Sequence, residues 1–102
     1  MAFESGALDA TLAAAAGDDA VLLAELRMAF RDSLERQVDL LRRSRCDGNW
    51  TVAAMRLQGL AASFHAEPLI ALAEQALEAA PGEPTIIRKM EQFLKEFGAG
   101  QA

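Results

Sequence analysis

Residues 19–45 read DAVLLAELRMAFRDSLERQVDLLRRSR. Leu23, Leu26, Phe30, Leu34, Val38 and Leu41 recur there at three- and four-residue spacing, which draws one apolar stripe along a helix. The other faces carry Glu25, Asp32, Glu35, Arg36, Asp39 and Arg43. A helix this long with a single apolar stripe needs other helices to cover the stripe, and the flanking sequence supplies them.

Upstream, the spacing predicts a short helix over about Ala7 to Ala15, closed by Gly17, with Asp18 or Asp19 capping the long helix. Downstream comes the loop CDGN, then a third helix over about Trp50 to Phe64 with Asn49 as its cap. A fourth runs from about Glu67 to Ala79, with Pro68 tolerated in its first turn and a stripe of Leu69, Leu72, Ala73, Ala76 and Leu77. After the turn APGEP, Pro84 opens a fifth helix that ends near Phe97 and presents Ile86, Ile87, Met90, Phe93, Leu94 and Phe97. The tail GAGQA reads as disordered. Short loops between amphipathic helices predict an all-α, up-and-down four-helix bundle with a short additional N-terminal helix. The chain of 102 residues reads as a single domain, ordered over about residues 7–97.

Composition narrows the function. Alanine and leucine dominate the 52% of hydrophobic residues, and valine and isoleucine are sparse, which favours helix over strand. The net charge is -5 and the pI about 4.8. That balance argues against nucleic acid and against anionic membrane surfaces. No apolar run approaches the roughly 20 residues of a membrane span, and MAFESGALDA lacks the pattern of a secretory signal. The only cysteine, Cys46, excludes an internal disulfide and paired-cysteine zinc sites. The cytoplasm is the expected compartment, and neither cofactor nor metal is expected.

Winding the third helix at about 100° per residue puts Trp50, Ala53, Leu57, Leu60, Ala61 and Phe64 on one side. Thr51, Met55, Gln58, Gly59 and Ala62 fall opposite, with Arg56 the one charge at their flank. An outer face is ordinarily rich in Lys, Glu and Arg. Gly59, in mid-helix, costs about 1 kcal/mol against alanine. On the outward face it cannot serve the approach of core helices. Either it leaves room for an external partner, or it is merely tolerated and Met55 is a solitary exposed apolar side chain.

Residues 54–61, AMRLQGLA, followed by His65-Ala66 and Leu69, resemble the histidine-containing phosphotransfer (HPt) domain of bacterial phosphorelays. That family's signature is A-H-x-L-K-G-x-A, then G-A and a leucine. Residues 8–41 resemble its first two helices, DGNW its approach to the histidine helix, and LIALAEQALE the helix after it. The similarity spans about residues 7 to 96. It implies a bundle that exchanges phosphate between a histidine and an aspartate of a receiver domain. Three positions depart from the pattern: Met55 stands at the phosphorylated histidine, Gln58 at the lysine, and His65 at the later glycine. A thioether cannot hold a phosphoryl group as imidazole does, and Gln58 has no charge to offset one.

The resemblance therefore implies a non-enzymatic protein, and a monomer is expected. It would dock the receiver domain of a response regulator, or a sensor histidine kinase, through Thr51, Met55, Gln58, Gly59 and Ala62. One alternative is phosphotransfer through His65, about 80° around the helix from Met55 and roughly 15 Å along it; a plainer role for His65 is a C-terminal cap. Another alternative is a structural bundle that pairs with itself. Arg42, Arg43 and Arg45 read as complements to a helix dipole, and Glu74, Glu78 and Glu83 as a solvated face.

Overall fold

The computed structural model describes residues 6–99. Five helices and no strand occur among them: α1 (Gly6–Ala16), α2 (Ala20–Arg43), α3 (Asp47–Ser63), α4 (Glu67–Glu78) and α5 (Pro84–Ala99). The fold is all-α. Helix α2 packs against α1, α3 and α5, and α4 packs against α3 and α5. One cluster of buried side chains joins all five helices, from Leu8 and Leu12 of α1 to Met90, Phe93 and Phe97 of α5. Residues 1–5 and 100–102, including the last residues of the expected tail, lie outside the described part.

The helix boundaries follow local chemistry. Gly17 (φ 64°) turns the chain after α1, and its N–H donates to the Ala13 carbonyl at 3.0 Å. Asp19, not Asp18, caps α2: its carboxylate accepts from the Leu22 N–H at 3.0 Å. Helix α2 stops at Arg43, two residues before the expected Arg45. Ser44 turns extended there, donates its N–H to Leu41, and sends its Oγ to the Leu40 carbonyl at 2.7 Å.

Helix α3 starts three residues earlier than its pattern predicts. Cys46, in extended backbone, precedes the first turn and accepts from the Trp50 N–H at 3.1 Å, whereas Asn49 lies inside that turn and is not the cap. No side chain caps this end, and the Asp47 carboxylate favours the positive pole of the helix instead. At the far end of the chain, α5 runs through Gly98 to Ala99, so the first two residues of the expected disordered tail are helical. The Glu83 carboxylate accepts from the Thr85 N–H at 2.9 Å, so this residue does more than decorate a solvated face.

Side chains tie the helices together. Trp50 Nε1, buried, donates to the Ala76 carbonyl of α4 at 2.7 Å. The Phe30 ring meets Phe64 and Phe97 edge-on, at centroid distances of 4.9 and 5.3 Å. Arg27 pairs with Asp9 of α1 at 2.9 Å and lies 4.6 Å over the Phe97 ring, so one guanidinium joins α1, α2 and α5.

Candidate partner-docking face

The inward side of α3 holds Trp50, Ala53, Leu57 and Ala61, all buried as their phase predicts. Ala54, missing from the expected core face, is fully buried as well. Its phase lies close to that of Trp50 and Ala61, so the same helical wheel places it inward. Leu60, at the edge of the stripe, is only half-buried, and so is Phe64, which caps the helix beyond its last turn.

The outward side carries Thr51, Met55, Gly59 and Ala62, all exposed, with Met55 at 56%. Gln58 is half-buried, a correction to its expected exposure: it lies on the flank where the face begins to turn inward. Three further residues complete the strip. Val52 is 48% exposed, Ser63 is exposed, and Arg56 is exposed and has no ion-pair partner among the described residues. Val52 and Ser63 were within reach of the same helical wheel.

Gly59 occupies ordinary helical backbone. A Cβ built on it meets nothing within 4 Å, so neither backbone conformation nor internal packing requires a glycine. The Ser63 hydroxyl donates to the Gly59 carbonyl at 2.9 Å, which ties that hydroxyl to its own helix.

His65 does not belong to this face. Helix α3 is capped at Phe64, and His65 follows in left-handed conformation, φ 57°. Its N–H donates to Ala62 at 3.2 Å, and the Ala66 N–H reaches back to Ala61 at 2.8 Å. These two bonds form a Schellman turn, with buried Ala66 over buried Ala61 as its apolar contact. The imidazole is therefore displaced from the helical phase that its distance from Met55 was reckoned on.

The neighbouring end of α2 supplies charge. Asp39 pairs with both Arg42 and Arg43, the latter at 2.9 Å, and Arg42 also approaches Glu91 of α5 at 3.9 Å. The hydrogen bond from Arg42, with the charge of Arg43 beside it, holds the Asp39 carboxyl below its usual range. Arg45 lies beyond the helix and donates to the Arg42 carbonyl. Leu40 and Arg43 of α2 face Val52 and Arg56 of α3 across a shallow groove of about 420 Å³.

Cys46 is exposed at the start of α3, Glu74 and Glu78 are exposed on α4, and no group of three or more metal-binding side chains forms among the described residues. No described helix is long and apolar enough to cross a membrane. The face thus offers shape, apolar surface and a cationic edge, with no imidazole and no ammonium group on it.

Compared with models of protein families, with curated proteins and with solved structures, the chain finds no match.

Proposed function

We propose that this chain is a non-catalytic, HPt-like signalling protein. Its outward α3 face docks a receiver domain of a response regulator, or a sensor histidine kinase, without carrying phosphate. The observation that carries this reading is Gly59. Alanine there would stabilise the helix by about 1 kcal/mol. Nothing inside the molecule stands in its way. A glycine kept at the centre of an exposed, charge-poor strip fits a surface that another protein approaches closely.

Two further observations support the reading. The position at which the resembled family carries glycine, His65 here, adopts the left-handed backbone that glycine suits best. The contacts also fit an up-and-down order of α2 to α5. Phe64 near the end of α3 meets Phe30 in the first half of α2, Trp50 at the start of α3 meets Ala76 at the end of α4, and Phe97 at the end of α5 meets Phe30 again.

The test is a titration of the purified protein against a panel of receiver domains and histidine kinase domains, with a phosphotransfer assay alongside. One partner should bind, and no acid-labile phosphate should appear on the protein; label on His65 would refute the non-catalytic role. Gly59→Arg should keep or raise the melting temperature and lose the partner, because a bulky cation at a close-packed interface clashes and must be desolvated at a cost of about several kcal/mol. Undiminished affinity in that variant would remove the docking face. Met55→His would return a nucleophile to the family's position, and Gln58→Lys its charge. Sedimentation of the free protein should show a monomer; a stable dimer that Gly59→Arg dissolves would favour self-pairing instead.

A further inference from the structure

We propose that the groove between the end of α2 and the first half of α3 receives an apolar side chain from an acidic amphipathic helix of the partner, whose carboxylates face Arg43 and Arg56. This rests on the docking reading above and specifies the chemistry of the surface that α3 meets.

Leu40 is 39% exposed and Val52 48%, and the two line the same groove. Met55, at 56%, follows Val52 one helical turn on. Two of the large exposed apolar side chains therefore meet across the α2–α3 groove, and Met55 carries the apolar surface on along the outer side of α3. The buried Ser44 hydroxyl in this groove already donates to the Leu40 carbonyl, which leaves Asn49 and the two arginines as the polar side chains open to an occupant.

Charge then selects the occupant. The chain has 15 acidic residues against 10 Lys and Arg, yet the charged residues that line this groove are both arginines. Arg43 is engaged by Asp39 through its Nε, and Arg56 has no carboxylate partner among the described residues. An apolar trough with cationic walls on an acidic protein complements a helix that presents a leucine-like residue flanked by glutamate or aspartate. Two packed helices make a natural cradle for a third, read through anchors at helical spacing.

The experiment follows amide chemical shifts of the isotope-labelled full chain. The probe is an amphipathic peptide of about 18 residues, long enough to hold a helix, with leucines on one face and glutamates elsewhere. Its counterpart carries lysine in place of every glutamate. The glutamate peptide should shift Leu40, Arg43, Val52 and Arg56, and the lysine peptide should not. Val52→Glu, at an exposed helical site, should weaken the glutamate peptide about tenfold by setting like charges together. Arg43→Glu and Arg56→Glu should each weaken it about fivefold and flatten its salt dependence. Equal binding of both peptides, shifts confined to other helices, or indifference to Val52→Glu would overturn the groove. A receiver that depends on Gly59 yet leaves Leu40 and Val52 unshifted would overturn the groove and keep the docking reading. Specific binding of the glutamate peptide, with every receiver and kinase domain silent, would do the reverse.

Discussion

At the scale of single residues, two positions on or just after α3 hold the less stable of two available side chains. His65 has φ 57°, a conformation that costs a side chain with a Cβ about 1–2 kcal/mol and costs glycine almost nothing. Its hydrogen-bonding is wholly backbone: the two bonds of the Schellman turn survive any substitution that keeps the turn. His65→Gly should therefore raise stability by about 1 kcal/mol, the steric gain outweighing the extra freedom of glycine in the unfolded chain. Urea denaturation measures it, and a loss of stability would mean that the exposed imidazole makes a compensating contact. Gly59 is the opposite case, a glycine where the backbone asks for none. One position carries a side chain that the backbone disfavours, and the other lacks one that it would accept.

At the scale of helices, the junction of α3 and α4 rests on Trp50. Its indole fills the core and its Nε1–H reaches the Ala76 carbonyl, which also accepts from the Ala79 N–H at 3.2 Å. Because that carbonyl keeps a partner when the indole is removed, Trp50→Phe should cost about 2 kcal/mol, and Trp50→Ala, which also leaves a cavity, about 4 kcal/mol. Calorimetric melting of the two variants separates the hydrogen bond from the volume.

The helices themselves were legible from the sequence, because apolar spacing reports phase directly. Leu34, Val38 and Leu41 are as buried as their stripe requires, and Asp19 caps as its type predicts. The start of α3 was not legible. Cys46 stands where a Ser, Thr, Asp or Asn ordinarily announces a helix, and it makes no side-chain cap bond. Glycine and asparagine in the first turn read as loop, although unpaired N–H groups there tolerate both. The outward position of Met55 and Gly59 was readable from phase alone. The groove beside them was not, since it needs the register of α2 against α3, and no periodicity within one helix encodes that.

At the scale of the molecule, paired charge is concentrated at two places. Arg27 holds α1 and the end of α5 to α2 through Asp9 and the Phe97 ring, and its side chain is only 18% exposed. Arg27→Ala should cost about 1–2 kcal/mol from the ion pair, the ring contact and the packing of its stem. The loss should be local, so amide exchange ought to quicken in α1 and the last turns of α5 before it does in α3.

The second place is Asp39. Its carboxyl is held below the ordinary aspartate value of 3.8 by the hydrogen bond from Arg42 and the nearby Arg43. A depressed folded-state value means that the carboxylate stabilises the fold at all pH above the unfolded value. That contribution is lost as the pH falls below 3.8 and through the lower folded value. Asp39→Asn should therefore flatten the acid limb of stability against pH in that window. Denaturant midpoints along a pH series test it, and an unchanged limb would assign the acid sensitivity elsewhere.

Trp50 has one more consequence. It is the chain's only tryptophan, and there is no tyrosine, so near-ultraviolet emission comes essentially from one indole. That indole is sealed in the core on the inward side of α3, with its N–H fixed to a carbonyl, while Met55 and Gly59 face outward. Its emission should be blue-shifted in the native protein and move to the red on unfolding. A molecule that settles on the outer face of α3 should leave the wavelength unchanged. One optical signal therefore follows folding without cross-talk from occupancy of the outer face, and every variant that keeps Trp50 can be checked for integrity in the cuvette before its titration begins.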